Sequence, residues 1–390
     1  MQTNTMSRKE TKGMLLIGLD LGSTYSKIAL LRDGRLIREK ELPTPKPLSA
    51  APRYEIDAEA YFAQVLSLLE EFYDPQADGV LFSTQMHGYV LTDQRFQPLS
   101  PYVSWQDGMG AAALDAIRSL LPPDATQAGG VPLKGNLALV SLLARRLAGE
   151  SLPKGALLHT LGGYVIARLC GNHVCHATNA APTGMVDLYR RDWNRPLIAQ
   201  AGLESLVFPP IVWKLQSVGQ WRGIPLYPDV GDQQACAWGA NLKKEHGLHV
   251  NIGTAGLLGV VCKGVAQGNF ECRPWLEDGY FLRTVSGLPG GRMVAAYHAA
   301  LPGDPAENWR MMTSALDAPT QALYDTMARA YQDAAKRMGA PVRQLGYSGG
   351  CVLKNPALRQ TIEKAFAVCE PPELSDIWQG MASLARLIEE

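Results

Sequence analysis

The chain has 390 residues, 46% of them apolar and 19% charged, enough to bury more than one core and unlike a disordered chain. Its 37 Lys and Arg balance 37 Asp and Glu, so the net charge is zero and bulk electrostatics give no footing for a nucleic-acid coat or a membrane-surface binder. No apolar run approaches a bilayer span, Met1 to Gly13 reads as neither signal peptide nor anchor, and seven cysteines without paired spacing read as reduced thiols of a cytoplasmic protein.

The apolar run from Met14 ends in Asp20-Leu21-Gly22-Ser23-Thr24, and the next, Ile28 to Leu31, is followed by Asp33-Gly34 and Leu36 to Leu42. Asp-Gly between apolar runs marks a hairpin, so the chain is predicted to open with antiparallel strands. Pro43 to Pro52 is a proline-rich loop. Asp57 is placed to cap a helix to about Tyr73, with Tyr61, Val65, Leu68, Leu69 and Phe72 on one face. Val80 to Phe82 reads as a buried strand leading into Ser83-Thr84-Gln85-Met86-His87-Gly88, and Asn136 to Ala148 and Leu161 to Leu169 read as helices. Asp232 is expected to open a helix through Leu242. Leu248 to Ile252 and Leu257 to Val261 are predicted strands, and Thr320 to Met338 an amphipathic helix. Asn355-Pro356 is an N-cap with proline at the first helical position.

Leu19-Asp20-Leu21-Gly22-Ser23 is echoed by Val250-Asn251-Ile252-Gly253-Thr254, with the glycines 253 − 22 = 231 residues apart. The echo suggests two similar halves facing each other, divided near Pro228 into 1–228 and 229–390.

There is no Gly-Lys dipeptide, hence no Walker A loop, and no Gly-x-Gly-x-x-Gly after a strand to support a dinucleotide fold. Gly346-Tyr347-Ser348-Gly349-Gly350 matches Gly-x-Ser-x-Gly, but every histidine precedes Ser348, against the order of an α/β-hydrolase triad. The alternative is a glycine turn that lets backbone approach a ligand. Cys170, His173, Cys175 and His176 have no common zinc spacing, and buried thiols with exposed histidines are the plainer reading. In Asp20-Leu21-Gly22-Ser23-Thr24 the glycine allows a tight turn whose amides and hydroxyls suit a phosphate. Asp20 can hold Mg²⁺ through water, and Lys27 can screen phosphate charge. An ordinary hairpin with an exposed aspartate is the alternative. Asp232, at a helix start, is either a cap or a base for a substrate hydroxyl. Gln85, Met86, His87, Trp105, Gln106 and Asp107 offer amide, carboxylate and aromatic groups suited to a sugar.

Six segments occur in order: Asp20 to Thr24 with Lys27, Gln85-Met86-His87-Gly88, Trp105-Gln106-Asp107, Gly231-Asp232-Gln233-Gln234, Asn251-Ile252-Gly253-Thr254, and Gly349-Gly350 with Lys354-Asn355-Pro356. Together they resemble the FGGY carbohydrate kinases of the actin/hexokinase/Hsp70 superfamily, over nearly the whole chain. Arg273-Pro274-Trp275 and Ser286-Gly287-Leu288-Pro289-Gly290-Gly291 are similar to the sedoheptulokinase-like branch.

The resemblance implies an α/β fold of two ribonuclease-H-like domains with mixed sheets flanked by helices and a cleft between them. Sugar would lie mainly on the N-terminal domain and ATP·Mg²⁺ mainly on the C-terminal one. It implies Asp232 as general base, Asp20 and Asp232 at Mg²⁺, and Gly22, Ser23, Thr24, Lys27, Gly253 and Thr254 at phosphates. Gly349, Gly350 and Asn355 would line the adenosine pocket, and Gln85, Met86, His87, Trp105, Asp107 and Asp232 the sugar pocket. The implied reaction moves the γ-phosphoryl group to a terminal hydroxyl of a ketose. The implied partner is a small-molecule sugar, with no nucleic acid or membrane, and homodimers are frequent in that family.

Three departures stand out. The family's arginine two residues after the Trp-x-Asp aspartate is Met109 here. The stretch from Thr254 to Gly349 is trimmed, and the helix Ile377 to Ile388 lacks the usual glycine pair. Met109 and the trimmed second domain motivate a rival reading, a non-catalytic sugar or nucleotide sensor. A second rival, an actin-like or chaperone-like ATPase, has no use for a sugar pocket.

Overall fold

A computed structural model describes residues 13–240, 245–339, 342–368 and 370–389. Two six-stranded sheets organise it. The first contains β1 (Leu15–Leu21), β2 (Tyr25–Arg32), β3 (Arg35–Pro43), β4 (Gly79–Thr84), β5 (Gly219–Trp221) and β6 (Ile224–Gly231). The second contains β7 (Gly247–Ile252), β8 (Gly256–Lys263), β9 (Glu271–Pro274), β10 (Tyr280–Leu288), β11 (Gln344–Ser348) and β12 (Glu373–Leu374). Spatial order is β5-β6-β4-β1-β2-β3 in the first and β9-β10-β8-β7-β11-β12 in the second.

In each sheet a central apolar strand pairs antiparallel with its hairpin partner, β1 with β2 and β7 with β8. On its other side it pairs in parallel, β1 with β4 and β7 with β11. The echoed motif therefore recurs at the same topological place, at the end of β1 and at the end of β7. β1 and β4 are buried on both faces, as parallel strands flanked by helices must be.

Helices α1 (Ala58–Glu71), α2 (Ala138–Leu147), α3 (Leu161–Cys170), α4 (Asp232–Gly239), α5 (Gly291–Ala300), α6 (Ala318–Met338), α7 (Pro356–Phe366) and α8 (Ile377–Glu389) flank and join the sheets. The caps fall where the side chains allow. Asp57 Oδ1 accepts from the amides of Glu59 and Ala60, and Asn355 Oδ1 from Leu358. α4 runs to Gly239, and Leu242, its expected end, lies outside the described residues.

One face of the first sheet is covered by α1 and α3 through Tyr61, Val65, Leu69, Tyr164 and Val165. The opposite face is covered by α8, whose Trp378, Met381 and Leu384 join Leu16, Leu31, Leu81 and Val230 in one core. Gly18 makes this possible, since a Cβ there would sit 2.6 Å from Met381 Sδ. α8 also crosses α4 at two glycines: a Cβ on Gly239 would lie 2.6 Å from Gly380 Cα. A single glycine on α8, Gly380, with Gly239 on α4, thus provides the close helix approach where α8 lacks a glycine pair. Pro228 lies inside β6, at a register shift between Leu226 and Asp229, and β6 belongs to the first sheet. Among the described residues no helix is long and apolar enough to cross a membrane.

Candidate active site

The parallel strands β1, β4 and β6 end abreast: Leu21 faces Thr84, and Thr84 faces Gly231. The next residues, Gly22, Gln85 and Asp232, therefore emerge side by side at the carboxyl edge of the sheet, where open α/β sheets bind ligands. Asp20, near the end of β1, accepts a hydrogen bond from Ser83 Oγ at 2.9 Å and has Lys27 as its cross-strand partner. Burial pushes the Asp20 carboxyl up to about 7, and the Asp232 charge adds to the rise. Burial also raises the Asp232 carboxyl, against the pull of the Gln233 amide, 2.7 Å from its Oδ1, and of Arg273. Two carboxylates thus resist being charged together in one half-buried place.

The turn after β1 is closed by Gly22 N donating to Tyr25 O at 3.0 Å, which leaves Ser23 half-buried and Thr24 exposed. Gln85 is buried, and its Nε2 donates to Gly22 O at 3.1 Å, so it ties the turn to the segment that follows β4. Met86 is buried beneath Gly231, where a Cβ would lie 2.7 Å from its Sδ. His87 has a left-handed backbone, φ 72°, rare for a residue with a side chain. Its Nδ1 lies 2.9 Å from Pro182 O and must carry the proton, which leaves Nε2 as an acceptor. Burial, then the nearby Arg273, pushes His87 down to about 3, so the ring is neutral.

Trp105 is exposed, whereas Asp107 is buried with both oxygens engaged. Oδ2 accepts from Tyr54 N at 3.0 Å and Arg145 Nη2 at 2.9 Å, and Oδ1 from Met109 N at 3.1 Å. The structure therefore gathers Asp20, Gln85, Met86, His87 and Asp232 at one edge, and turns Asp107 into the loop that carries it. Met109 packs against the apolar core beside α2.

Sequence reasoning named no role for the next group. Gln233 accepts from Arg273 Nη1 at 2.7 Å and donates to Thr284 Oγ1 at 2.9 Å, and Gln234 donates to Pro274 O at 3.2 Å. Asp232-Gln233-Gln234 is thus the clasp between the first sheet and β9 and β10 of the second. Arg273 also reaches Met86 Sδ at 3.9 Å and donates from Nε to Glu271 Oε2 at 2.8 Å. Lys134 and Ser286 bond the other oxygen of Glu271. Burial alone would raise the Glu271 carboxyl, but Arg273 and Lys134 hold it well below the ordinary range. The available signal was Glu271-x-Arg273 itself, two opposite charges two positions apart; the structure sets both on one face of a strand that is buried throughout. A cavity of about 700 Å³ adjoins this group, lined by Lys134, Glu271, Thr284 and Ser286, and does not include Gln85, Met86 or His87.

In the second sheet Asn251 at the end of β7 faces Ser348 at the end of β11. Gly253 O accepts from Gly291 N at 2.8 Å, and Thr254 O from Arg292 N at 3.1 Å, which sets the start of α5 against the turn. Gly349 has φ 93°, and a Cβ there would lie 2.7 Å from Gly253 N, so the two glycine turns touch. Gly350 is exposed with open space around it. Asn355 is fully buried, its Nδ2 donating to Tyr324 Oη at 2.7 Å, and so sits behind this surface. Ser348 is buried as well. Its Oγ lies 2.9 Å from His249 Nε2 and accepts from Asn251 Nδ2 at 2.7 Å, an arrangement that roots the turn and presents no nucleophile.

His173 and His176 are committed to Leu158 O and Thr178 Oγ1, both at 2.8 Å. The six described cysteines are free thiols, and Cys369 lies outside the described residues.

A sheet plan used twice, with Asp20 at the first hairpin, Asp232 where β6 passes into α4, and touching glycine turns in the second sheet, is the actin-like ATPase fold. Solved structures share it. A gluconate kinase from Lactobacillus acidophilus superposes with a TM-score of 0.84 at 17% identity, covering 96% of this chain and 88% of that one. A xylulose kinase from the same organism gives 0.83 at 17% identity, with the same coverage. Residues 15–224 match the N-terminal domain of the FGGY family of carbohydrate kinases. The chain belongs to that family. A xylulose kinase of Staphylococcus xylosus is 25% identical over 276 residues, 62% of this chain and 54% of that protein. A gluconokinase of Bacillus subtilis is 23% identical over 262 residues, 62% of this chain and 51% of that protein. The chain spans about half the length of the curated relatives it matches.

Proposed function

We propose that the chain is an ATP-dependent kinase that moves the γ-phosphoryl group to a terminal hydroxyl of a ketose, a pentulose or a seven-carbon sugar. The observation that carries this reading is the Asp20–Asp232 pair at the sheet edge, each carboxyl raised by burial and Asp20 also by its neighbour. Such a pair suits Mg²⁺, which takes one or two carboxylates and completes its shell with water and phosphate. Among the described residues there is no cluster of three or more His, Cys, Asp or Glu that would suit an all-protein cage. A Mg²⁺ held there would neutralise charge on the phosphate oxygens.

Asp232 accepts the hydroxyl proton as the sugar oxygen bonds to the γ-phosphorus. The bond from that phosphorus to the bridging oxygen breaks, and ADP leaves with its electrons. Gly22, Ser23, Thr24, Lys27, Gly253 and Thr254 receive the phosphates, Gly349 and Gly350 the adenosine, with Asn355 holding the wall behind them. The neutral His87 offers Nε2 to a sugar hydroxyl. The ketose class is supported by relatives named xylulose kinases, and the seven-carbon option by Arg273-Pro274-Trp275.

The test is ADP release with MgATP against sedoheptulose, xylulose, ribulose and fructose, with Asp232→Asn as control. Release that needs one sugar, and falls about 10²-fold or more in the variant, is expected. Sugar or ATP binding without turnover would replace the kinase by a sensor of the same fold.

A further inference from the structure

We propose that Arg273 is a sugar-binding, specificity-determining residue, delivered into the sugar pocket from the second sheet in place of the guanidinium that position 109 lacks. The inference rests on the kinase reading only in taking Gln85 to His87 as the sugar pocket.

Three observations converge. First, the aspartate that resemblance would offer to the sugar is unavailable, because Asp107 is locked by Tyr54, Met109 and Arg145. Second, Arg273 is only 4% exposed, yet from β9 it reaches across to Met86, Gln233 and, by charge, Asp232 and His87. Burying a guanidinium is costly unless it is paired, and Glu271 pairs it. With Lys134 also on Glu271, the trio Glu271, Arg273 and Lys134 carries one net positive charge. Third, the guanidinium has donors to give. It carries five N–H groups. Among the described residues, Nε and one Nη2 hydrogen go to Glu271, and one Nη1 hydrogen goes to Gln233. The remaining Nη1 contact is the Met86 sulfur, a weak acceptor that a hydroxyl oxygen outcompetes. A polyol hydroxyl lying between His87 Nε2 and Arg273 would donate to the first and accept from the second. The pocket then gains its selectivity only when both sheets contribute to it.

The experiment compares wild type with Arg273→Gln and Arg273→Lys, reading sugar affinity by calorimetry without nucleotide and, separately, the KM for sugar and for ATP. Arg273→Gln is expected to weaken the preferred sugar about tenfold or more, leave the KM for ATP within about twofold, and change the preference ratio between the two best sugars. Arg273→Lys keeps the charge but not the fork and is expected to recover part of the affinity and not the preference. An unchanged sugar affinity in Arg273→Gln, or a loss equal across all sugars that tracks a fall in melting temperature, would overturn the proposal. Wild-type binding without turnover, with affinity still lost in Arg273→Gln, would remove the kinase reading and leave this inference standing. Absence of sugar binding by wild type would overturn both.

Discussion

Arg145 Nη2 lies 2.9 Å from Asp107 Oδ2, while Nη1 of the same guanidinium lies 2.6 Å from Glu55 Oε1. The arginine comes from α2, 38 residues after the aspartate it holds, and it anchors the loop that carries Trp105. All three side chains are nearly buried. Arg145→Met is therefore expected to cost roughly 3–5 kcal/mol, because the buried Asp107 carboxylate loses its cationic partner, while Glu55 keeps Arg53. Arg145→Lys should recover little of it, since an ammonium cannot span both carboxylates as a fork does. Thermal unfolding of the three proteins checks this, and equal midpoints would mean that the ion pairs are not holding the loop.

Asp20 gives a pH-dependent prediction. Its folded-state pKa, about 7, lies above the ordinary carboxylate value of 3.8. The folded protein therefore holds a proton that the unfolded chain releases, and the stabilisation is full below 3.8 and lost as pH rises through 7. Asp20→Asn removes this penalty, so the variant should be more stable than wild type at pH 8 by on the order of 2 kcal/mol. Near pH 4 the two should be close. Melting curves across that range, without added metal, read it. A stability difference independent of pH would show that burial and Asp232 do not raise the Asp20 carboxyl.

Mg²⁺ with ADP should reverse that order. Both should raise the melting temperature of wild type at pH 8 and raise that of Asp20→Asn less, because the ion loses one of its two carboxylates. Equal shifts would move the ion elsewhere.

Gly349 is expected to tolerate no side chain. At φ 93° an alanine is strained, and its Cβ would press on the Ile252 carbonyl carbon at 2.6 Å. Gly349→Ala should lower nucleotide affinity about tenfold or more while sugar affinity stays near wild type. Gly350→Ala, facing open space, is the control. Parallel nucleotide titrations of the two variants separate them.

Much of this architecture was readable from local signals. Asp33-Gly34 between apolar runs announced the hairpin of β2 and β3, and Asn355-Pro356 announced the start of α7. The Gly22 and Gly253 echo announced the duplication, because a tight turn after a central strand is a local necessity. What the sequence hid was long-range. Nothing near Asp107 says that its carboxylate is held by a residue from α2. Glu271 and Arg273 were visible only as two opposite charges two positions apart, and their partners Lys134, Met86 and Gln233 are brought in by the way the two sheets meet. Ser83 was visible in the Gln85 segment, yet only the parallel pairing of β1 with β4 sets it against Asp20.

Removing α8 should unfold the first sheet rather than the second. Trp378, Met381 and Leu384 seal the core over Leu16, Leu31 and Leu81, and Trp378 Nε1 donates to Glu39 Oε2 at 2.6 Å. Met381→Ala, a smaller cut, should cost about 2–5 kcal/mol by leaving a cavity over Gly18. Hydrogen exchange should then rise in β1 and β4 and not in β7 and β11. A uniform rise would mean that the sheets unfold as one unit.

The return of α8 to the first sheet also sets an order on biosynthesis. That face of the sheet closes only with a helix that starts 377 − 231 = 146 residues after β6 has ended. During vectorial synthesis the second sheet can assemble while the first still shows an apolar flank. The early half of the chain therefore depends on the late half to become sticky-free, and is the part a nascent-chain chaperone would meet.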